Sequence, residues 1–207
     1  MTVMVQDVAA ILLAGGLGSR MRQEGAVTDK ALRLLGGRPL VAHAIARINP
    51  QVGAMVLNAN GDPERFVDFG LDVVADDLPD YPGPLAGILA GMRWAAAHGF
   101  ADVLSVPTDT PFLPQDLVAR LDAARMVGGV PLACAGSGGW THPVVGLWPV
   151  SLADALEADL RGGMRKIDRW TAKHGVAVAE FGVEGGDPFF NVNTPEELAQ
   201  AEGLLPP

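Results

Sequence analysis

Apolar residues gather into three short runs in the first half of the chain, Val8–Leu13, Ala54–Asn58 and Val103–Val106, with almost no polar interruption. A strand with one wet face alternates, so continuous runs of this length predict strands buried on both faces, as in a parallel sheet. Stretches with helical spacing lie between and after them, at Pro39–Ile48, Leu85–His98 and Pro114–Ala124. Pro39 and Pro114 suit the first helical turn, where a missing N–H costs nothing. The alternation predicts an α/β chain with a mostly parallel sheet and helices on both faces.

The second half is less regular. Leu132–Ala135 and Val144–Trp148 read as a pair of strands, followed by helices near Leu152–Leu160 and Met164–Lys173 and a strand near Val176–Glu180. The last helix is marked more sharply: Thr194 is a capping residue, Pro195 occupies the first turn, and Glu197 can reach back to the cap. Asn191 and Asn193 then sit on the loop that enters this helix.

Composition narrows the class. With 207 residues, 49% of them hydrophobic and 19% charged, the chain can bury one sizeable core. No long Pro/Ser-rich linker or internal repeat divides it, so one domain over residues 1–207 is expected, with only Leu204–Pro207 fraying. The first ten residues carry no basic region, and no apolar run approaches the roughly 20 residues that cross a bilayer, which favours a cytoplasmic protein with no membrane contact. Cys134 is the only cysteine. It excludes an internal disulfide or cysteine metal cluster and reads as a buried, inert thiol. A net charge of −9 argues against broad nucleic-acid binding.

The chemistry concentrates after the first strand. Leu12-Leu13-Ala14-Gly15-Gly16-Leu17-Gly18-Ser19-Arg20-Met21, closed by Asp29-Lys30, places glycines where the chain leaves the sheet's carboxyl edge, the ligand edge of open α/β sheets. Glycines there let backbone N–H groups turn toward one anion, and Arg20 and Lys30 add charge, so the segment reads as a triphosphate cradle. Met21 stands where a dinucleotide loop needs glycine, and no Gly-Lys-Ser/Thr follows, so neither common phosphate loop applies. The plain alternative is a glycine-rich turn without ligand. Because the whole chain is acidic, an anionic substrate needs a local reversal of potential, and Arg20, Arg22, Lys30 and Arg33 cluster where one is needed.

Asp109, bracketed by Pro107 and Pro111 after the third apolar run, should project from a stiffened loop. A lone carboxylate there suits Mg²⁺, which is usually held by one or two carboxylates plus substrate phosphates; capping the next turn is the alternative. Asn58 ends a strand with an amide able to donate and accept, and Asp76 opens a polar turn after Val73-Val74.

Together with Asn58-Ala59-Asn60, Tyr81-Pro82-Gly83-Pro84-Leu85-Ala86-Gly87, Thr108-Asp109-Thr110-Pro111, His142-Pro143 and Asn191-Val192-Asn193-Thr194-Pro195, the first loop resembles the molybdenum cofactor guanylyltransferases over nearly the whole chain. The resemblance implies a Rossmann-like nucleotidyltransferase domain. It also implies transfer of GMP from GTP to the terminal phosphate of molybdopterin, with or without bound molybdenum, and release of pyrophosphate. It implies Mg²⁺ on Asp109, with Arg20, Lys30 and Asp109 as catalytic residues. Leu13, Ala14, Gly15, Gly16, Lys30, Asn58, Asp76 and Asp109 correspond to nucleotide-binding positions. The pterin is expected in the C-terminal half, at His142, Arg165, Lys166, Asn191 and Asn193. His142 could equally be a structural hydrogen-bonding residue, and Arg165 and Lys166 the solvated face of a helix over Met164–Lys173. Gly83 and Gly87 would let backbone approach a flat ring, or serve a turn. The family leaves room for transient contact with molybdenum-insertion and molybdoenzyme-delivery proteins.

Two features depart from the family pattern. Arg22 follows Met21 where glycine is usual, and residues 23–28 lengthen the link to Asp29-Lys30. The rivals are the sister cytidylyltransferase, a sugar-phosphate nucleotidyltransferase, and an idle nucleotide-binding carrier. The second glycine of Gly15-Gly16 and the Thr108–Pro111 segment favour GTP.

Overall fold

The computed structural model describes residues 7–14, 29–78 and 83–205. In chain order these form β1 (Val8–Leu13), the short hairpin β2 (Leu34–Leu35) and β3 (Arg38–Pro39), α1 (Leu40–Ile48), β4 (Ala54–Asn58), β5 (Asp72–Val74), α2 (Pro84–Ala97), β6 (Asp102–Pro107), α3 (Leu117–Gly128), β7 (Leu132–Ser137), β8 (Trp140–Pro149), α4 (Ala153–Arg161), α5 (Ile167–His174), β9 (Val176–Phe181) and α6 (Pro195–Gly203). Seven strands make one sheet in the order β5-β4-β1-β6-β8-β7-β9. It is parallel except at β8, which runs antiparallel to both β6 and β7. The fold is therefore the expected mostly parallel sheet with helices on both faces.

Successive residues of a strand point to opposite faces, and β1 shows why its run must be wholly apolar. Ala10 and Leu12 join one core with Leu57, Leu104 and Val106, against Val41 and Ile48 of α1 and Leu117 and Leu121 of α3. Ala9, Ile11 and Leu13 join the other, against Leu85, Ile88, Leu89 and Met92 of α2, Leu156 and Leu160 of α4, and Trp170 of α5. Gly91 lets α2 press onto β1: a Cβ there would come within 2.7 Å of the Ile11 side chain. At the end of the sheet away from Leu13, Arg125 of α3 grips the start of β6, its two terminal nitrogens 2.7 and 2.9 Å from the two Asp102 oxygens.

Several boundaries move from their expected places. Pro39 is extended and caps α1 from outside rather than opening its first turn, because it pairs with Leu34 in the small hairpin. Pro114 also precedes its helix, which begins at Leu117. Gln51 explains the delay: its amide nitrogen donates to the Pro114 carbonyl (2.8 Å) and its oxygen accepts from the Val118 N–H (3.1 Å). Met164 to Lys166 are not helical. The Met164 N–H closes the end of α4 on the Asp159 carbonyl (2.9 Å), and Lys166 is extended ahead of α5.

Candidate functional site

Parallel pairing brings three strand ends level at one rim. Leu13 lies beside Asn58 on one side and Pro107 on the other. The crossovers change side at this point, α1 leading from β1 to β4 on one side and α2 leading from β5 to β6 on the other, which is where open α/β sheets form a ligand crevice. The rim is stitched by backbone: Ala14 N–H to the Asn58 carbonyl (2.9 Å) and Thr108 N–H to the Leu13 carbonyl (3.2 Å). Gly15, Gly16, Arg20 and Arg22, together with Tyr81-Pro82, lie outside the described residues.

The described chain resumes at Asp29, whose carboxylate caps a short 3-10 turn through the Ala31 N–H (3.1 Å). Lys30 is the first residue of that turn. Its ammonium donates to Asp109 Oδ2 and to Asn193 Oδ1, joining residues 79 and 163 positions away. Both members of the ion pair are mostly buried, at 17% and 19% side-chain exposure. Asp109 stands two residues past β6, and its own carbonyl accepts the Val192 N–H (2.9 Å), tying the loop before α6 to it. Asn193 is fixed from the other side. The Glu197 carboxylate accepts both the Thr194 N–H (2.9 Å) and the Asn193 N–H (2.6 Å), while Thr194 Oγ1 accepts the Glu197 N–H (3.2 Å). The capping box expected from Thr194 and Glu197 thus also positions a site residue. Asp109 Oδ1 is buried and has no hydrogen-bond partner among the described residues. A buried carboxylate oxygen is costly to leave without a hydrogen-bond or cationic partner.

A second carboxylate, Asp76, occupies the same rim beyond β5, and it is fully held. Asn58 Nδ2 donates to its Oδ1 (2.9 Å), Asn60 Nδ2 donates to its Oδ2 (2.8 Å), and its N–H donates back to Asn60 Oδ1 (3.0 Å). Asn58 is itself locked by a bond to the Val74 carbonyl (3.2 Å). Gly87 lies in α2 directly against this pair: a Cβ would sit 2.3 Å from Asn58 Oδ1 and 2.8 Å from Leu13 Cδ2. Its role is therefore close packing of helix on strand rather than a turn. Gly83, with φ of 124°, takes the turn ahead of α2.

One arginine spans the two carboxylate regions. Arg65 Nε meets Asp29 Oδ2 at 3.1 Å and its Nη2 donates to the Asn60 carbonyl at 2.6 Å. It thereby links the turn that carries Lys30 to the loop that holds Asp76. No local signal marks Arg65, because its partners are distant in sequence; Asn60 was visible only as part of Asn58-Ala59-Asn60.

On the C-terminal side of the rim, His142 and Asn191 line a cavity of about 230 Å³ with Thr110, Val145 and Phe189. His142 Nε2 is 2.8 Å from Ser137 Oγ, which donates to Asp187 Oδ1 at 2.8 Å. Burial pushes the imidazole below the ordinary histidine range, outweighing the opposing pull of Asp187 and Glu180. Arg165 and Lys166 are brought neither to this cavity nor to the Lys30 cluster. They are exposed on the α4–α5 connection, with Arg165 donating to the carbonyls of Leu160 (3.0 Å) and Met164 (2.7 Å). Neither lies on the expected helix face, since the helix starts after them. Cys134 is buried in β7, and desolvation with the nearby Glu180 pushes its thiol up to about 11, as an inert thiol requires.

Comparison with known proteins accords with this geometry. A family described as the MobA-like NTP transferase domain matches residues 10–177. A molybdenum cofactor guanylyltransferase of Bradyrhizobium sp. is 53% identical over 200 residues, spanning 95% of this chain and 92% of that protein. One from Rhodopseudomonas palustris is 52% identical over 198 residues, spanning 94% and 91%. Among solved structures, molybdopterin-guanine dinucleotide biosynthesis protein A from Archaeoglobus fulgidus shares the fold at a TM-score of 0.70 with 24% identity, covering 95% of this chain and 97% of that one. With the family matched through both carboxylates of the rim, the chain belongs to the MobA-like NTP transferases, among the molybdenum cofactor guanylyltransferases.

Proposed function

We propose that the protein transfers GMP from GTP to the terminal phosphate of molybdopterin, releasing pyrophosphate and forming molybdopterin guanine dinucleotide. The observation that carries this reading is Asp109, with one oxygen paired to Lys30 and the other buried and without a partner among the described residues. Such an oxygen fits Mg²⁺. Among the described residues no group of three or more His, Cys, Asp or Glu could hold a metal ion, which suits an ion that takes one protein carboxylate and completes its shell with water and phosphate oxygens. Asp109 would hold the ion, and the bound ion would supply positive charge to the triphosphate.

The protein's remaining work is alignment and charge. The attacking phosphate is already an anion, so no general base is required. Lys30, anchored by Asp109 and Asn193, brings fixed positive charge to the rim, and Arg20 and the amides of Gly15 and Gly16 add to it in this reading. Asp76, with both oxygens oriented by asparagines, is an acceptor suited to the adjacent N1–H and N2–H donors of guanine. Cytosine offers only one such donor there, which favours GTP over CTP. The two halves of the chain then divide the substrates: the β1–β6 half takes the nucleotide, and the cavity at His142 and Asn191 takes the pterin. We place the reaction in the cytoplasm, where GTP is available, with the product handed on by transient contact to delivery proteins.

The test is to supply Mg²⁺, molybdopterin and either GTP or CTP, and to weigh any pterin dinucleotide formed. Product with GTP alone supports the proposal. Product with CTP alone transfers the chain to the sister reaction, and nucleotide binding without pyrophosphate release points to a carrier.

A further inference from the structure

His142, in the wall of the cavity of about 230 Å³, is joined behind that wall to Ser137 and Asp187, and the protons of the three side chains can be assigned from geometry alone. Asp187 Oδ1 accepts the Phe189 N–H at 2.9 Å and lies 2.8 Å from Ser137 Oγ. A carboxylate only accepts, so the single hydroxyl proton of Ser137 must point at Asp187. The Ser137 oxygen is also 2.8 Å from His142 Nε2, and with its proton committed it can only accept there. The reverse arrangement would face two oxygens at 2.8 Å with no proton between them, at a residue only 2% exposed. His142 therefore carries its proton on Nε2, and in the neutral ring Nδ1 is an acceptor. Phe189, with its ring centroid 4.7 Å from that of His142, and Phe181, edge-on to Phe189 at 5.2 Å, support the ring.

A second polar pair of the wall, Thr110 and Asn191, has the opposite sense. Thr110, fully buried, donates its hydroxyl to Asn191 Oδ1 at 2.9 Å, leaving the Asn191 amide N–H₂ as a donor. Among its polar groups the cavity thus includes a ring-nitrogen acceptor and an amide donor, the complement of a flat heterocycle with an N–H beside a carbonyl.

We propose that Ser137 and Asp187 are positioning residues that hold His142 in its Nε2–H form, so that Nδ1 accepts an N–H from the pterin ring of the acceptor substrate. The identity of that ring rests on the molybdopterin reading above; the proton arrangement does not. Uniform ¹⁵N labelling and long-range ¹H–¹⁵N correlation of the histidine ring on the full chain read the tautomer directly, without substrate. The wild-type ring should be protonated on Nε2, and Ser137→Ala should shift it toward Nδ1–H. In turnover, Ser137→Ala and Asp187→Ala should raise KM for molybdopterin about three- to tenfold, the range for one neutral hydrogen bond, with KM for GTP unmoved. Asp187→Asn, whose amide oxygen can still accept from Ser137 and Phe189, should restore the wild-type tautomer and acceptor KM. An Nδ1–H wild-type ring, an unmoved tautomer in Ser137→Ala, or equal rises in KM for both substrates would overturn the proposal. A wild-type ring protonated on Nε2 in a protein that makes no dinucleotide would instead sink the molybdopterin reading and leave the relay standing.

Discussion

Asp76 and Asp109 are carboxylates on the same rim, and they are kept in opposite states. Asp76 has an asparagine amide on each oxygen, so its direction is set before any ligand arrives. Asp109 shares one oxygen with Lys30 and leaves the other buried without a partner among the described residues. A held carboxylate selects by shape, because its lone pairs point one way. A bare one attracts charge, because only a cation or strong donor relieves it. The two ends of the site are accordingly suited to different tasks, recognition at Asp76 and charge neutralisation at Asp109, with Arg65 bracing one against the other.

That contrast can be broken from its charged end first. Lys30→Met removes the ammonium that Asp109 and Asn193 hold, and should lower kcat by about 10²-fold, the scale of losing one preorganised group that stabilises transition-state charge; steady-state pyrophosphate release measures it. If Asp76 is a recognition element, Asp76→Ala should act on the other parameter. Losing a carboxylate hydrogen bond to the base, worth about 1.5–3 kcal/mol, should raise KM for GTP about 10- to 100-fold and narrow the gap between GTP and ITP, with a smaller change in kcat. Arg65→Ala should produce a lesser and mixed effect, about two- to fivefold in KM for GTP, since its ion pair to Asp29 is partly exposed. A change in Arg65→Ala as large as that in Asp76→Ala would mean that the brace, not the carboxylate, carries selectivity. Cys134 belongs to neither end and should be silent: iodoacetamide should leave activity intact at neutral pH and modify the thiol only after unfolding. Its raised pKa has a sign consequence as well. The folded chain keeps the proton that the unfolded chain loses above about 9, so stability should decline as pH rises from there toward about 11, as urea midpoints across that range would show.

The sequence disclosed these ends unequally, for physical reasons. β1 falls where its apolar run ends, because burial on both faces leaves no room for an unpartnered polar residue, and β4 closes on Asn58, whose amide is hydrogen-bonded. The α6 cap is equally legible, since Thr194, Pro195 and Glu197 act within one turn. Where a partner lies far along the chain, local signals fail. α3 starts late because Gln51 takes the hydrogen bonds of Pro114 and Val118. The edge strand β5 is short and paired on one side only, so Val73-Val74 alone does not announce it. At the site, Lys30, Asp109 and Asn193 were nameable singly, but their meeting depends on the Asp109–Val192 bond and the cap behind Asn193. Arg65, Ser137 and Asp187 carried no motif. Arg165 and Lys166 show the converse: two adjacent cations are conspicuous in a sequence, yet among the described residues they stand on the α4–α5 connection apart from the cavity lining and the Lys30 cluster, with Arg165 donating to the carbonyls of Leu160 and Met164.

On this reading the reaction uses the Asp109 oxygen that has no partner among the described residues. Asp109→Asn keeps the size of the side chain and an oxygen while removing the charge, so pyrophosphate release from GTP and molybdopterin should be compared between this variant and wild type over a range of Mg²⁺ concentrations. Turnover should be about 10²- to 10³-fold slower with a higher Mg²⁺ requirement, and the fold should stay intact by circular dichroism. Turnover at the wild-type rate with an unchanged Mg²⁺ dependence would contradict this reading.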